Sequence, residues 1–310
     1  MQPDLKLTPE MFQPAPDNFK DAEKIQRRSI SYWADVWRRL RLNKLAMLGM
    51  FTIVGLVIMA IIGPMISGHT YYEQDFASQN IEPGDAKFWF GTDGAGRDLF
   101  TRAWYGARIS LFIGFMAAFL DFVIGVVYGG ISGLKGGRID NIMMRIAEVL
   151  YGIPYLLMVI LLMVVMGPGL WTIIIAMSLT GWIPMARLVR GQVLQLKELE
   201  YVHASMALGA GTWWVLKKHI IPNTMGPILV NMTLTIPTAI FNEATLSFLG
   251  LGIPAPKASW GTMASDSLDS LLIGTVYQLF IPGLLISLAM FAFNVFGDGL
   301  RDALDPRMRK

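Results

Sequence analysis

The chain has 310 residues, of which 54% are hydrophobic and 16% are charged, and its formal net charge is +3. The charged residues cluster between long uncharged runs, the distribution that a bilayer requires because ionised groups are costly at its centre. This pattern favours an integral membrane protein over one large soluble domain. The lack of cysteine excludes disulfides, thiolate zinc sites and cysteine nucleophiles. We expect no signal peptide in the polar first 30 residues.

Residues 1–44 are predicted to form a cytoplasmic amino-terminal segment, which carries nine of the lysines and arginines. Apolar residues recur at helical spacing among the charges that precede the first apolar run: Tyr32, Trp33, Val36, Trp37 and Leu40. We predict a basic amphipathic helix that lies on the membrane surface. Nucleic-acid binding is the alternative use of such a cluster, and an anchor at the membrane face is favoured over it.

Six apolar runs are predicted to be membrane-spanning helices. They cover about residues 45–66, 109–131, 149–166, 170–188, 227–250 and 276–296. Each is close to the ~20 residues that a helix needs to cross about 30 Å of hydrocarbon, although the third is short and needs its flanks. The predicted fold class is therefore all-α integral membrane, with a six-span domain over 45–300 and a tail over 301–310.

The lysines and arginines give the orientation of these spans. If the amino terminus is cytoplasmic, 21 of them fall on the cytoplasmic side and five on the other. This asymmetry predicts that both termini are cytoplasmic, with an external region over 67–108 and a cytoplasmic loop over 189–225. The glycines and aspartates of 89–98 predict a folded turn for an external partner. A calcium loop is the alternative, and the spacing lacks the ligand pattern of an EF-hand.

A few polar residues lie inside the predicted spans, where they are not expected to face lipid. Asp121, Asn242 and Glu243 are the candidates for a translocation path or gate, with Glu243 in the outer half of the fifth span. Asn231 and Asn294 belong to the same class. Hydrogen bonds between helices are the alternative role, and the sequence leaves both roles open.

No motif for catalysis or phosphate binding occurs in the chain. It contains no GxxxxGK[ST] loop, no HExxH and no GxSxG. The predicted topology places His69 on the opposite side of the membrane from His203 and His219, so the three cannot form one metal site. We therefore expect a protein that is not an enzyme by itself and holds no cofactor, and whose energy comes from another subunit.

The polar segment from Arg187 to Pro222 is predicted to be a docking element between two spans. It is expected to form two short helices broken at residues 209–211, where Gly209 permits a chain reversal and a bulky side chain would clash. Leu199, Val202 and Met206 are expected to share one apolar face. Thr212 is expected to cap the second helix. An amphipathic loop that lies on lipid is the alternative.

This segment resembles the EAA loop of permease subunits of bacterial ABC importers, which has Glu-Ala-Ala, a short spacer, Gly and a later Ile-x-Leu-Pro. Ala204, Gly209 and Pro222 match that pattern at the right spacing. Four positions depart from it, with the family's residue in brackets: His203 (Glu), Ser205 (Ala), His219 (Ile) and Ile221 (Leu). These departures change the electrostatics of the loop and do not change its helix-turn-helix pattern.

Further motifs resemble the oligopeptide/dipeptide/nickel group of these permeases, most closely its OppC-type subunits, over about 30–310. They are Phe90-Gly-Thr-Asp-Gly-Ala-Gly-Arg-Asp, Tyr105-Gly-Ala-Arg-Ile-Ser-Leu, Gly136-Gly-Arg-Ile-Asp, Leu246-Ser-Phe-Leu-Gly-Leu-Gly with Trp260-Gly, and Gly297-Asp-Gly-Leu-Arg-Asp-Ala-Leu-Asp-Pro. The resemblance implies a type I importer permease fold in a bacterial cell membrane.

The resemblance also implies a function, namely oligopeptide import driven by ATP. The partners would be a second permease (OppB-like), two ATPase subunits (OppD- and OppF-like) that hold ATP and Mg²⁺, and an extracellular peptide-binding lipoprotein (OppA-like). The loop 198–222 would couple to the ATPases through Tyr201, His203, Ala204, Ser205, Leu208, Gly209, Ala210 and Thr212.

Three alternatives to oligopeptide import stay open. The same family includes permeases for dipeptides and for nickel complexes. A secondary transporter driven by an ion gradient would be expected to show more spans or inverted repeats. An intramembrane hydrolase would need a catalytic pair that the sequence lacks.

Overall fold

The computed structural model describes residues 31–305, and within that range the fold is helical, with a single isolated β-bridge and no strand. The helices, in chain order, are α1 (Tyr32–Leu42), α2 (Lys44–Ile66), α3 (Leu99–Lys135), α4 (Gly137–Tyr151), α5 (Tyr155–Met166), α6 (Leu170–Leu196), α7 (Glu200–Ala207), α8 (Thr212–Phe248), α9 (Trp260–Asp266), α10 (Leu268–Leu272) and α11 (Tyr277–Leu304). The other residues of the predicted terminal segments, 1–30 and 306–310, lie outside the described residues.

Five of these helices are long and apolar enough to cross a membrane: α2, α3, α6, α8 and α11. The helices α4 and α5 count as a sixth span if the pair is taken together, although they are bent by 81°. The third predicted span is therefore not one continuous helix, because the chain breaks before Pro154, which has no N–H to donate. Alone, the 12 residues of α5 rise only about 18 Å.

Two of the spans begin at side-chain caps that the sequence supplies. The Asn43 side chain accepts from the backbone N–H of Ala46 at 3.1 Å before α2, and the Asp98 carboxylate accepts from that of Thr101 at 2.8 Å before α3. A side chain in these positions satisfies one of the free N–H groups at a helix start. The polar residue just before each apolar run therefore fixes where the helix begins.

The central contact of the bundle joins α3 to α6 through small residues. Gly125, Gly129 and Gly133 recur every four residues on α3 and face α6. A Cβ on Gly129 would lie 2.2 Å from the carbonyl oxygen of Ala186, so the two backbones touch where α3 has no side chain. Such spacing permits close packing of helices in lipid.

The predicted external region packs on one end of the bundle through buried charges. The Arg102 guanidinium, only 2% exposed, lies 3.0 Å from the Asp266 carboxylate at the end of α9. Arg97 contacts the carboxylates of Asp93, at 2.6 Å, and Asp266, at 3.2 Å. The pairs join the region before α3 to α9, since a charge removed from water needs a partner.

Hydrogen bonds extend that contact to α11. The Tyr277 hydroxyl donates to the carbonyl of Ile81 at 2.9 Å, and the Gln278 amide donates to Asn80 Oδ1 at 2.8 Å. Within the external region, the Ser78 hydroxyl and the backbone N–H of Ala77 hold the pKa of the Asp75 carboxyl below its ordinary value. The residues predicted to be external therefore share one end of the molecule.

Replacement of Gly129 by alanine is expected to destabilise the chain, because the new methyl group meets the backbone of α6. Overpacking of this kind costs about 1–3 kcal/mol. The matched control is Gly55→Ala, since no atom lies within 4 Å of the Cβ position at Gly55 on α2. Thermal unfolding of the purified protein in detergent measures both, and equal midpoints for the two variants would contradict the assigned contact.

Candidate functional site

The predicted docking element contains a short helix that ends in a tight reversal. The helix α7 is followed by Gly209, whose φ of +89° lies in the left-handed region that favours glycine. The N–H of Gly209 donates to the carbonyl of Met206 at 3.0 Å, and the N–H of Ala210 donates to that of Ser205 at 3.1 Å. This pair of bonds is a Schellman motif, which satisfies the free carbonyls of a helix end. The reversal lies at the predicted break.

The reason that glycine is needed at 209 differs from the predicted one. Among residues 31–305, no atom lies within 4 Å of the position that a Cβ would take. The predicted steric clash within the turn is therefore wrong for the chain by itself. The requirement comes from the positive φ, which disfavours residues with a Cβ by about 1–2 kcal/mol.

The prediction of two short helices is also wrong, because the second one is the start of a long helix. The helix α8 runs without interruption from Thr212 to Phe248 and contains one wider turn over Leu216–Ile220. Gly211 precedes the helix as its cap residue, and Thr212 is the first helical residue. No side-chain cap is made there, so the predicted capping by Thr212 is wrong.

One face of α7 packs against the bundle, and it is not the predicted face. Val202 is fully buried in a cluster with Val193 of α6 and Leu216 of α8. Leu199 and Met206, which were expected to share that face, are exposed. The buried residues of α7 are Val202 and Ser205, so the packed face of this short helix is narrow.

The opposite face of the loop exposes large apolar side chains. The most exposed is Leu208 at the tip, at 89%. Tyr201, Trp213 and Trp214 are also exposed. Exposed apolar side chains in one patch are a mark of a protein or membrane contact.

The predicted coupling residues fall on both faces of the loop. Those on the exposed surface are Tyr201, His203, Ala204, Leu208 and Gly209. Ala210 and Thr212 are partly buried. Ser205 is buried, and its hydroxyl oxygen is unpaired among the described residues.

Aromatic contacts join α7 to the first turns of α8. The ring of His219 lies 5.4 Å from that of Tyr201 and 5.0 Å from that of Trp214, centroid to centroid. The amide of Asn223 donates to the Tyr201 hydroxyl at 3.4 Å. His203, where the family pattern has a Glu, is exposed and lies 3.7 Å from the Glu198 carboxylate. The loop and the start of α8 therefore form one packed unit.

A buried ion pair fixes the segment of α6 that leads into the loop. The Arg190 guanidinium donates two bonds to the Asp140 carboxylate, each of 2.6 Å. The Ser132 hydroxyl on α3 donates to the same carboxylate. Planar two-point pairing of this kind is strong and directional. The sequence analysis did not identify this pair, although Asp140 ends the Gly136-Gly-Arg-Ile-Asp motif.

Two of the three predicted path residues line one cavity within the membrane-spanning part. The cavity has a volume of about 420 Å³ and lies between α3, α6 and α8, beside the break between α4 and α5. Its polar lining consists mainly of Asp121, Tyr155, Thr180, Asn231, Thr235 and Asn242. The structure therefore brings Asp121 and Asn242 together. Asn294 is exposed on the surface of the chain.

Glu243, the third predicted path residue, lies elsewhere. It is fully buried, and its carboxylate accepts from the hydroxyls of Ser247 at 2.8 Å, Ser259 at 2.6 Å and Ser110 at 3.3 Å. These serines lie on α8, just before α9 and on α3. In this structure Glu243 joins helices and does not line the cavity, because hydrogen-bond donors from three segments surround it.

Replacement of Glu243 by alanine is expected to destabilise the protein by about 1–3 kcal/mol, the cost of leaving buried hydroxyl groups without their acceptor. Glu243→Gln is the matched control, since its carbonyl oxygen still accepts from Ser247 and Ser259. Thermal midpoints in detergent should fall in the order wild type, Gln, Ala. A variant with alanine as stable as the wild type would contradict the role of the carboxylate as a helix contact.

Long apolar helices, a polar cavity among them and an exposed helical loop at one end define a multi-span membrane permease. Sequence comparison gives the family: the profile of binding-protein-dependent transport system inner membrane components matches residues 125–310, and that of the N-terminal membrane domain of oligopeptide transport permease C matches residues 31–83. The chain belongs to the family of binding-protein-dependent transport system inner membrane components. It is a multi-pass protein of the bacterial cell membrane.

Curated relatives match over nearly the whole chain. The dipeptide transport system permease protein DppC of Bacillus subtilis is 59% identical and covers 97% of both chains. The oligopeptide transport system permease protein OppC of the same organism is 60% identical and covers 97% of this chain and 98% of the relative. OppC of Escherichia coli is 39% identical over 94% of this chain and 96% of the relative.

A solved structure shares the fold. An inward-facing crystal structure of the MetNI methionine ABC transporter has a chain that matches with a TM-score of 0.53 at 21% identity. The match covers 66% of this chain and 96% of that one. The predicted fold class, a type I ABC importer permease with all-α membrane spans, is confirmed.

Proposed function

We propose that this chain is the permease subunit of an ATP-driven importer of short peptides, and that the loop over 198–222 receives the motion of the ATPase subunits. The observation that carries the proposal is the exposed apolar tip of the loop, Leu208, on a helix that is fixed from behind by Val202. The names of the curated relatives support the peptide substrate. Because the dipeptide and the oligopeptide permease are almost equally similar, the proposal covers short peptides as a class.

The proposal includes the partners of such a permease. They are a second permease (OppB-like), two ATPase subunits (OppD- and OppF-like) and an extracellular peptide-binding lipoprotein (OppA-like). ATP and Mg²⁺ belong to the ATPase subunits, since this chain has no phosphate-binding loop. The large exposed apolar faces of α2 and α5 face lipid or the second permease.

The path of the motion is the helix α8. Its first turns contact α7 through the rings of His219 and Tyr201, and its later turns line the cavity with Asn231 and Asn242. The helix has 37 residues, which extend about 55 Å at 1.5 Å per residue. It contains Pro227, Pro237 and the wider turn over Leu216–Ile220, and its backbone stays helical throughout. A push on the loop therefore reaches a wall of the cavity through one helix.

Substitution of the exposed tip, Leu208→Asp, is expected to weaken binding of the ATPase subunits at least about tenfold, since it places a charge in an apolar contact. ATP-dependent uptake of a tripeptide into proteoliposomes that hold the complete transporter should fall in parallel. Retention of the ATPases during affinity purification of the tagged permease measures the contact directly.

The matched control for that experiment is Leu272→Asp. Leu272 is also 89% exposed, and it lies at the end of α10, on the side of the external region. It should leave the ATPases bound. Equal retention of the ATPases by both variants would contradict the coupling role, and uptake that persists with catalytically dead ATPases would contradict ATP-driven import.

Substitutions of Gly209 test whether the left-handed turn is what the loop requires. Asn tolerates a positive φ better than Ala does, although its side chain is larger. The expected order of initial uptake rates is therefore Gly, then Asn, then Ala. A rate for Gly209→Ala above that for Gly209→Asn would show that space for the partner, and not the backbone conformation, is the requirement at this position.

A further inference from the structure

A buried carboxylate without a partner faces the membrane cavity. Asp121 lies near the middle of the second predicted span, about 18 Å along the helix from residue 109 and about 15 Å from residue 131. Asp121 is 5% exposed, and its Oδ1 has no hydrogen-bond partner among residues 31–305. Acidic groups at this depth are costly unless they are paired. The carboxylate therefore lacks a group that would complete its site.

The Asp121 carboxylate packs against the backbone of α6, so the open space beside it is the cavity. A Cβ on Gly181 would lie 2.8 Å from both carboxylate oxygens of Asp121. The carboxylate thus approaches the α6 backbone at a position that bears no side chain. Any larger residue at 181 would displace the carboxylate from its place beside the cavity.

The lining of the cavity is suited to a cation. Asp121 is the one charged residue among the described residues that line it, and lysine, arginine and histidine are absent from that lining. The other polar groups of the lining include the Tyr155 hydroxyl, which is buried and also unpaired among the described residues, and the amides of Asn231 and Asn242. A carboxylate with neutral oxygen acceptors around it is the chemistry that binds an ammonium group.

We propose that the cavity beside Asp121 binds the α-ammonium group of the peptide as it passes through the permease. This inference rests on the proposed function, peptide import. An α-ammonium is the cation that every unmodified peptide carries whatever its side chains, so one carboxylate serves substrates of any sequence. The volume of about 420 Å³ lies in the range of small-molecule sites, and the amides of Asn231 and Asn242 can bond to peptide groups that follow the ammonium.

The test is uptake of tetra-alanine with a free amino group and of N-acetyl tetra-alanine, by the complete transporter in proteoliposomes. The affinity of the isolated binding protein for each peptide is measured separately, and the uptake ratio is divided by the ratio of affinities. The wild type should keep a preference of at least about tenfold for the free peptide. Asp121→Asn should reduce that preference to about one, mainly by slowing uptake of the free peptide.

Two further variants keep the test decisive. Gly181→Ala retains the charge and displaces the carboxylate, so it should also reduce the preference. Thr238→Val removes another hydroxyl that lines the cavity, one that donates at 3.0 Å to Leu234 of its own helix, and it should leave the preference unchanged.

Three results would overturn the inference. They are a wild type without a corrected preference, an Asp121→Asn variant that keeps it, and an assembled Asp121→Asn transporter that loses uptake of both peptides equally. The last result would show that Asp121 pairs with a basic residue of a partner subunit. If the wild-type transporter imports neither peptide with ATP, the proposed function itself fails, which is a distinct outcome.

Discussion

The backbone contact between α3 and α6 determines the arrangement of the rest of the bundle. In a bilayer, moving an apolar side chain from lipid to a protein interior gains little free energy. Helices therefore associate where their backbones can approach closely. Gly125, Gly129 and Gly133 provide that approach. Near the end of α6 that leads into the loop, the same two helices are joined through Asp140, to which both Ser132 and Arg190 donate. The cavity and the packed face of α7 both lie against this pair of helices.

The loop and the cavity are two parts of one mechanical unit. Three features restrict the conformation of the loop: the buried side chain of Val202, the Schellman turn and the ring contacts of His219. The exposed residues lie on the outer side of the loop, where the Leu208 side chain is almost fully exposed. A partner that moves this surface acts on α8, whose far turns carry Asn231 and Asn242.

Much of the fold was predictable because hydropathy and charge report directly on the bilayer. The five continuous spans are of this kind, and the reversal at Gly209 was predictable from the conformational freedom of glycine. The break before Pro154 was not, since a hydropathy window records composition and not helix direction. The continuity of α8 was missed because Lys217, Lys218 and His219 interrupt the apolar residues there, and a charge marks exposure to water without ending a helix. Glu243 was misplaced because its partner Ser110 lies 133 residues away in the chain.

The uninterrupted course of α8 has a consequence for chain length. Each residue turns an α-helix by about 100°, so the direction in which Asn242 points is fixed by the number of residues that separate it from Thr212. One residue added or removed between them would turn the cavity-lining face toward a neighbouring helix, even with every side chain retained. The helix α7 has a register of its own, which the buried Val202 sets. Residues 197–199, between α6 and α7, lie outside both registers. The molecule can therefore accept a change of length in this connection that it cannot accept within α7 or α8.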